Sequence, residues 1–253
     1  MNALMKLTFG SCSDIGMVRQ ENQDSFGKFP EDNLDLSREQ LFIVADGMGG
    51  HEGGLEASSI AVETMRQEFF RDPESGSSVE RLKRAIQRAN ADIIKFGAEH
   101  TRYSTMGTTC SSLVLTDNQG YIGHVGDSRI YKITSSSIQQ LTRDHTRVAE
   151  LVKRGIISKA EAKYHPERSL LYRALGVQPT VEVDTMDDMP LADGECFLLC
   201  SDGLVNHVED EEIKEIVSAN EPQTACNKLV NLANERGGTD NVTVLIVKVS
   251  QRT

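Results

Sequence analysis

Four aspartates stand beside apolar runs of strand character: Asp46 after LFIVA, Asp127 after YIGHVG, Asp202 after CFLLCS, and Asp240 just before NVTVLIV. Each adjoins a turn residue. In Asp46-Gly47 and Asp202-Gly203 the chain turns sharply, so that side chain and main-chain carbonyl can both face outward at a strand end. Oxygens of this kind are what Mg2+ or Mn2+ take as ligands. One Asp-Gly pair by itself is an ordinary β-turn. Four strand-tip aspartates in an acidic chain make a hard-metal site the alternative to four turns. Competing motifs fail: there is no GxxxxGK[ST], the glycine cluster at 47–54 has Glu52 where GxGxxG needs its last glycine, Leu55 spoils HExxH after His51, and no loop carries DxDxDG.

The elements that must position these residues are legible as runs. Strand patterns occur at 41–45, 110–115, 121–125, 130–133, 196–200 and 242–247. The segment 121–141 is broken only by Gly126-Asp127-Ser128 and Ser135-Ser136-Ser137, which leaves no room for crossover helices and implies antiparallel hairpins. Helical spacing appears at Ala57, Ile60, Ala61, Met65 and Phe69, and again from Val79 to Phe96, the second opened by the capping-box pattern Ser77 to Glu80. Two further amphipathic helices cover Ile213 to Val217 and Ala225 to Ala233. Strand runs alternating with helix pairs argue an α+β layered fold. Residues 144–176 carry many charges and short helical pieces at 148–153 and 159–163, the pattern of a lid or mobile loop over the surface.

A chain of 253 residues is within the range of one domain. Lys plus Arg is 27 against 38 Asp plus Glu, a net charge of −11, which repels nucleic acid and anionic membrane. A phosphate ligand would therefore need local help, which bound cations can supply. Five scattered cysteines without a CxxC pair are no disulfide framework; they suit buried thiols in a reducing compartment better than zinc ligands. No stretch approaches the roughly 18 apolar residues of a membrane span, so a cytoplasmic location is expected.

Taken together, RQENQD at 19–24, VADGMGGHEGG at 44–54, MGTT at 106–109, GDSR at 126–129, LCSDGL at 199–204 and GGTDNVT at 237–243 closely resemble the type-2C metal-dependent protein serine/threonine phosphatases of bacteria, in order as well as in wording. The resemblance implies a four-layer α-β-β-α sandwich, two antiparallel sheets flanked by helix pairs, with a binuclear metal centre at one edge. It implies that Asp46 bridges two Mn2+ or Mg2+ ions, that the Gly47 carbonyl holds the second, that Asp202 and Asp240 complete the first, and that Asp127 takes a third, weaker ion. Two such ions can hold a hydroxide between them near neutral pH, so that water attacks phosphorus directly without a phosphoenzyme. Arg19 resembles the family's phosphate-gripping arginine, and Asp24 a carboxylate that orients metal-bound water. Gln23 departs from members with an acidic residue there. Met48 stands where some members carry a proton-donating histidine, which leaves His51 either as its substitute or as a structural or exposed residue. Arg129 either aids substrate binding or supports Asp127 by an ion pair. Residues 144–176 resemble the bacterial flap subdomain, with His165 and Arg173 structural within it. The implied partners are phosphorylated proteins and a cognate kinase, with the chain a monomer. A silent phosphoprotein-binding relative would lack a ligand aspartate, and a two-metal nuclease would show a basic stripe; neither feature fits this sequence.

Overall fold

The computed structural model describes residues 5–32, 34–49, 53–100 and 106–251. Among the described residues, eleven strands form two antiparallel sheets. One contains β1 (Met5–Asp14), β11 (Val242–Gln251), β10 (Cys196–Cys200), β7 (Arg129–Ile133) and β8 (Ile138–Gln140), in that spatial order. The other runs β2 (Asp24–Phe29), β3 (Gln40–Met48), β5 (Cys110–Leu115), β6 (Gln119–Val125) and β9 (Asp184–Pro190), with the short β4 (Gly107–Thr108) paired to β3.

The continuous apolar runs arise because these strands are covered on both faces. Along β3, Leu41, Ile43 and Ala45 face the helices α1 (Gly53–Phe70) and α2 (Ser78–Glu99), joining a core with Ala57, Ala61, Met65, Phe69, Leu82 and Ile86. The alternate residues Phe42 and Val44 enter a second core between the sheets with Leu113, Phe197, Leu199, Leu245 and Val247. On the far side, Leu198, Val244 and Ile246 meet α6 (Asp210–Ala219) and α7 (Pro222–Glu235) through Ile213, Val217, Ala225 and Leu229. The period of two within a strand thus builds the expected α-β-β-α layers. α2 starts where its capping box says: the Ser77 side chain accepts from the Glu80 amide and the Glu80 side chain from the Ser77 amide.

One expectation is corrected. β7 and β8 form a hairpin across 134–137, but β6 and β7 do not pair. At Gly126-Asp127-Ser128 the chain leaves one sheet for the other, β6 pairing with β5 and β9 while β7 pairs with β10. A strand, a tight turn and a strand look the same in sequence whether the second strand folds back or switches layer. Between β8 and β9 lie the short helices α3 (Arg147–Lys153) and α4 (Lys159–Lys163), which contain one buried residue, Val148, and the single turn α5 (Asp202–Val205) follows β10.

Candidate active site

Antiparallel pairing gathers the motifs at one edge of the sandwich. Asp24 at the start of β2 lies opposite Asp46 near the end of β3. Cys110 at the start of β5 meets Val125 at the end of β6, while Cys200 at the end of β10 meets Arg129 at the start of β7 and Val244 near the start of β11. Asp46, Asp127, Asp202 and Asp240 therefore all emerge on the same side, from segments up to about two hundred residues apart in sequence.

Asp46 is held from its main chain. The Thr109 hydroxyl and the Asp46 amide are 2.9 Å apart, and Asp46 O accepts from the Thr109 amide and the Thr108 hydroxyl, both at 2.9 Å. Thr109 Oγ1 also bonds the Ser128 hydroxyl at 2.6 Å. The two threonines of MGTT are thus the clamp that ties the Asp46 turn to the Asp127 corner. Gly47 donates to Gln23 O at 3.1 Å, and a Cβ there would lie 2.1 Å from Gly54 O. Only glycine fits between the loop before β2 and the start of α1. Gly203 is confined likewise by Asn241 O, 2.1 Å from where a Cβ would stand.

Asn241 is a second organiser that the sequence did not single out. Its Oδ1 accepts from the Gln23 amide, and its Nδ2 donates to Ile15 O and Glu21 O, all at 2.9 Å, lacing the 15–23 loop to β11. Arg19 in that loop donates from Nη2 to Asp240 Oδ2 at 2.7 Å, with 52% of its side chain exposed. Asp24 is buried; its Oδ2 accepts from the Ser201 hydroxyl at 2.7 Å, while Oδ1 has no partner among the described residues.

Charge crowding dominates the electrostatics. Burial, followed by the charges of Asp24, Asp202, Asp127 and Asp240, pushes the Asp46 carboxyl well above the usual range. Burial, opposed by hydrogen bonds from the Thr243 and Ser201 side chains and reinforced by Asp202 and Asp240, lifts Asp24 to about 7. Burial and then Asp240 lift Asp202 to about 6. Asp127 is raised by burial, Asp202 and Asp144. Among the described residues no three acidic, histidine or cysteine side chains close on one point. The candidate donors are carboxylate and carbonyl oxygens, and Asp24 adds a buried acceptor without a described partner, so the residues present fit a divalent hard cation.

Arg129 supports the corner, but its ion pair is with Asp144 rather than Asp127. Nη2 lies 2.7 Å and Nε 3.0 Å from the Asp144 carboxylate, and Nη1 donates to the Tyr131 hydroxyl. Its charge reaches Asp127 only through space, drawing that carboxyl downward. His165 accepts from the Glu167 amide, and Arg173 bonds Asp184 and Glu182, both structural contacts. His51, the candidate proton donor, lies outside the described residues.

A double antiparallel sandwich that gathers partly buried aspartates at one edge defines an architecture suited to holding divalent cations, and comparison with known proteins makes it specific. The sequence model of the family described as "Protein phosphatase 2C" matches residues 18–235. The chain is 37% identical over 241 residues to "Serine/threonine phosphatase stp" of Listeria innocua, covering 93% of each. Among solved structures, the Mycobacterium tuberculosis serine/threonine phosphatase PstP/Ppp superposes with a TM-score of 0.87 at 33% identity, covering 97% of this chain and 100% of that one. The PstP catalytic domain in complex with two manganese ions does so at 0.83 and 31%, covering 98% and 100%. The chain belongs to the protein phosphatase 2C family, a metal-dependent one, and among the described residues no helix is long and apolar enough to cross a membrane.

Proposed function

We propose that this chain hydrolyses phosphoserine and phosphothreonine in proteins at the aspartate edge, opposing a serine/threonine kinase in a bacterial cytoplasm, and that it acts as a monomer. The observation that carries the reading is the convergence of Asp46, Asp24, Asp202 and Asp127 on one sandwich edge, where burial and then neighbouring carboxylates raise each of them, a charge excess that calls for cations. Asp46, the Gly47 carbonyl, Asp202 and Asp240 would hold two Mn2+ or Mg2+ ions, with Asp127 serving a third, weaker one. Bound there, such ions supply Lewis acidity and lower the pKa of water toward neutrality.

The chain's own residues do the rest. Arg19, half exposed at the mouth and engaging Asp240 through Nη2, is placed to turn its planar fork to two phosphate oxygens. Asp24, held by Ser201 beside Thr243, would accept a hydrogen bond from the attacking water and so orient it. The Thr108 and Thr109 bonds keep the Asp46 carboxylate in register with Asp127. Water oxygen bonds to phosphorus as the bond to the seryl or threonyl oxygen breaks. The water gives up a proton and the leaving oxygen takes one up, yielding inorganic phosphate and the free hydroxyl. The flap segment 144–176, joined to this edge through Gly126 and Thr108, would serve as the surface for the protein part of the substrate. Phosphate release from a phosphothreonine peptide with Mn2+ tests the reading: activity that chelator abolishes and Asp46→Asn removes is expected, and full turnover in metal-free buffer overturns it.

A further inference from the structure

Gly126 turns the corner from β6 to β7 with φ +111°, immediately before Asp127. Both polar atoms at Gly126 are held by one residue. The Gly126 amide donates to His145 Nδ1 at 3.0 Å, and the His145 amide donates to Gly126 O at 2.8 Å. His145 is buried, and its other nitrogen, Nε2, stands 3.1 Å from Asp184 Oδ2. Arg173 donates to the other oxygen of Asp184 and, through Nη2, to Glu182 at 2.9 Å. The flap's returning limb is anchored at the same place: Tyr172 donates its amide to His145 O at 2.9 Å, its ring lies 5.6 Å from the His145 ring, and Thr146 bridges Leu171.

The chemistry of these contacts allows one tautomer. A backbone N–H can only donate, so Nδ1 must present its lone pair and the proton of the neutral ring must sit on Nε2. Arg173 Nη1, 3.1 Å from Nε2, is also a donor and cannot receive that proton. Asp184 can, and its carboxylate is oriented by Arg173. The order of dependence is therefore Arg173, Asp184, His145, Gly126, Asp127.

We infer that His145, with its tautomer set by Asp184 and Arg173 at the base of the flap, is a positioning residue that fixes the Gly126 corner and thereby the place of Asp127. The link to turnover rests on the proposed phosphatase reading; the link to Gly126 does not.

Two substitutions separate the two ends of the ring. Asparagine can put an amide oxygen where Nδ1 stands, so His145→Asn retains an acceptor for Gly126. Glutamine can reach only the Nε2 position, so His145→Gln keeps the Asp184 contact and leaves the Gly126 donor unpaired. In metal-free protein, hydrogen exchange at the Gly126 amide should stay near wild type in His145→Asn and quicken about tenfold or more in His145→Gln, the effect of one buried unpaired donor. With Mn2+ and phosphopeptide, kcat should divide the two variants in the same direction while KM changes little. Equal exchange in the two variants, whether both protected or both fast, overturns the inference. Imidazole nitrogen NMR of the unaltered protein gives a test independent of either variant's folding: protonation on Nε2 is required, and an Nδ1–H tautomer refutes it. A wild-type chain without phosphatase activity that still shows the exchange contrast would sink the phosphatase reading and leave the positioning role standing.

Discussion

Replacing Asp24 by asparagine should stabilise the metal-free protein while impairing its activity. The Asp24 carboxyl is buried at 7% exposure, has one oxygen without a described partner and is lifted from 3.8 to about 7. Holding it ionised above that pKa costs roughly three units, about 4 kcal/mol at about 1.36 kcal/mol per unit. Asparagine removes the charge and can still accept from Ser201, but its amide hydrogens need partners that the site supplies poorly, a loss of about 1–3 kcal/mol. The net gain is about 2 kcal/mol, or about 4–8 °C in Tm for a chain of this size. The sign follows from linkage. Because the folded pKa exceeds the unfolded one, the Asp24 contribution to stability is fully present below 3.8 and is lost as pH rises to about 7. The gain from Asp24→Asn should therefore be greatest at pH 8 and disappear, or turn to a small loss, near pH 4. Thermal melts in chelator at both pH values, repeated at pH 8 with saturating Mn2+, provide the assay; the cation should shrink the gain by neutralising the neighbours that raise Asp24. A lower Tm for the variant at pH 8 without metal, or a shift independent of pH, would refute the reasoning.

Arg19→Ala should raise KM for a phosphopeptide about tenfold or more with a smaller effect on kcat, since it removes a charge-assisted grip on ground-state phosphate; unchanged steady-state constants would exclude the clamp. Asp127→Ala should keep two tight ions in a calorimetric titration and lower kcat at least tenfold, about 1.4 kcal/mol, whereas loss of the tight sites would make Asp127 a ligand of the central pair. Ser77→Ala should destabilise by about 1 kcal/mol through loss of the α2 cap and leave turnover unchanged, because Ser77 bonds Glu80 at the helix start and no residue of the aspartate edge. A change in kcat for that variant would show α2 coupled to the site.

The strands buried on both faces were legible because burial selects long apolar runs; those at 110–115 and 196–200 match β5 and β10 residue for residue. β9, with the sequence DTMDDMP, and β2, with DSFGKF, were not. Both are edge strands without a continuous apolar run: in β2 the polar Asp24 is buried while Phe26 is exposed, and β9 reads as loop until β6 pairs with it. The amphipathic helices and the Ser77 box were visible because their signals are local, within four residues. Arg129 was visible as a charge needing a partner, yet nothing local could select Asp144, fifteen residues on, over Asp127, two residues back.

The sequence by itself determined the residue types the site requires, the glycines that permit its close approaches and the motif order that reveals the family. It also determined which runs become strands, since alternation and apolarity are properties of a short stretch of chain. The tertiary structure alone decided that the four aspartates share one edge, that Gly126 is a passage between sheets rather than a hairpin turn, that Thr108, Thr109 and Asn241 brace the loops, and that His145 joins the flap base to the corner. These depend on which strands pair and on how the sheets stack. The electric field each carboxylate feels, and with it the elevation of Asp46 and Asp24, is a sum over charges and burial brought from distant parts of the chain, so it exists only once the chain has folded.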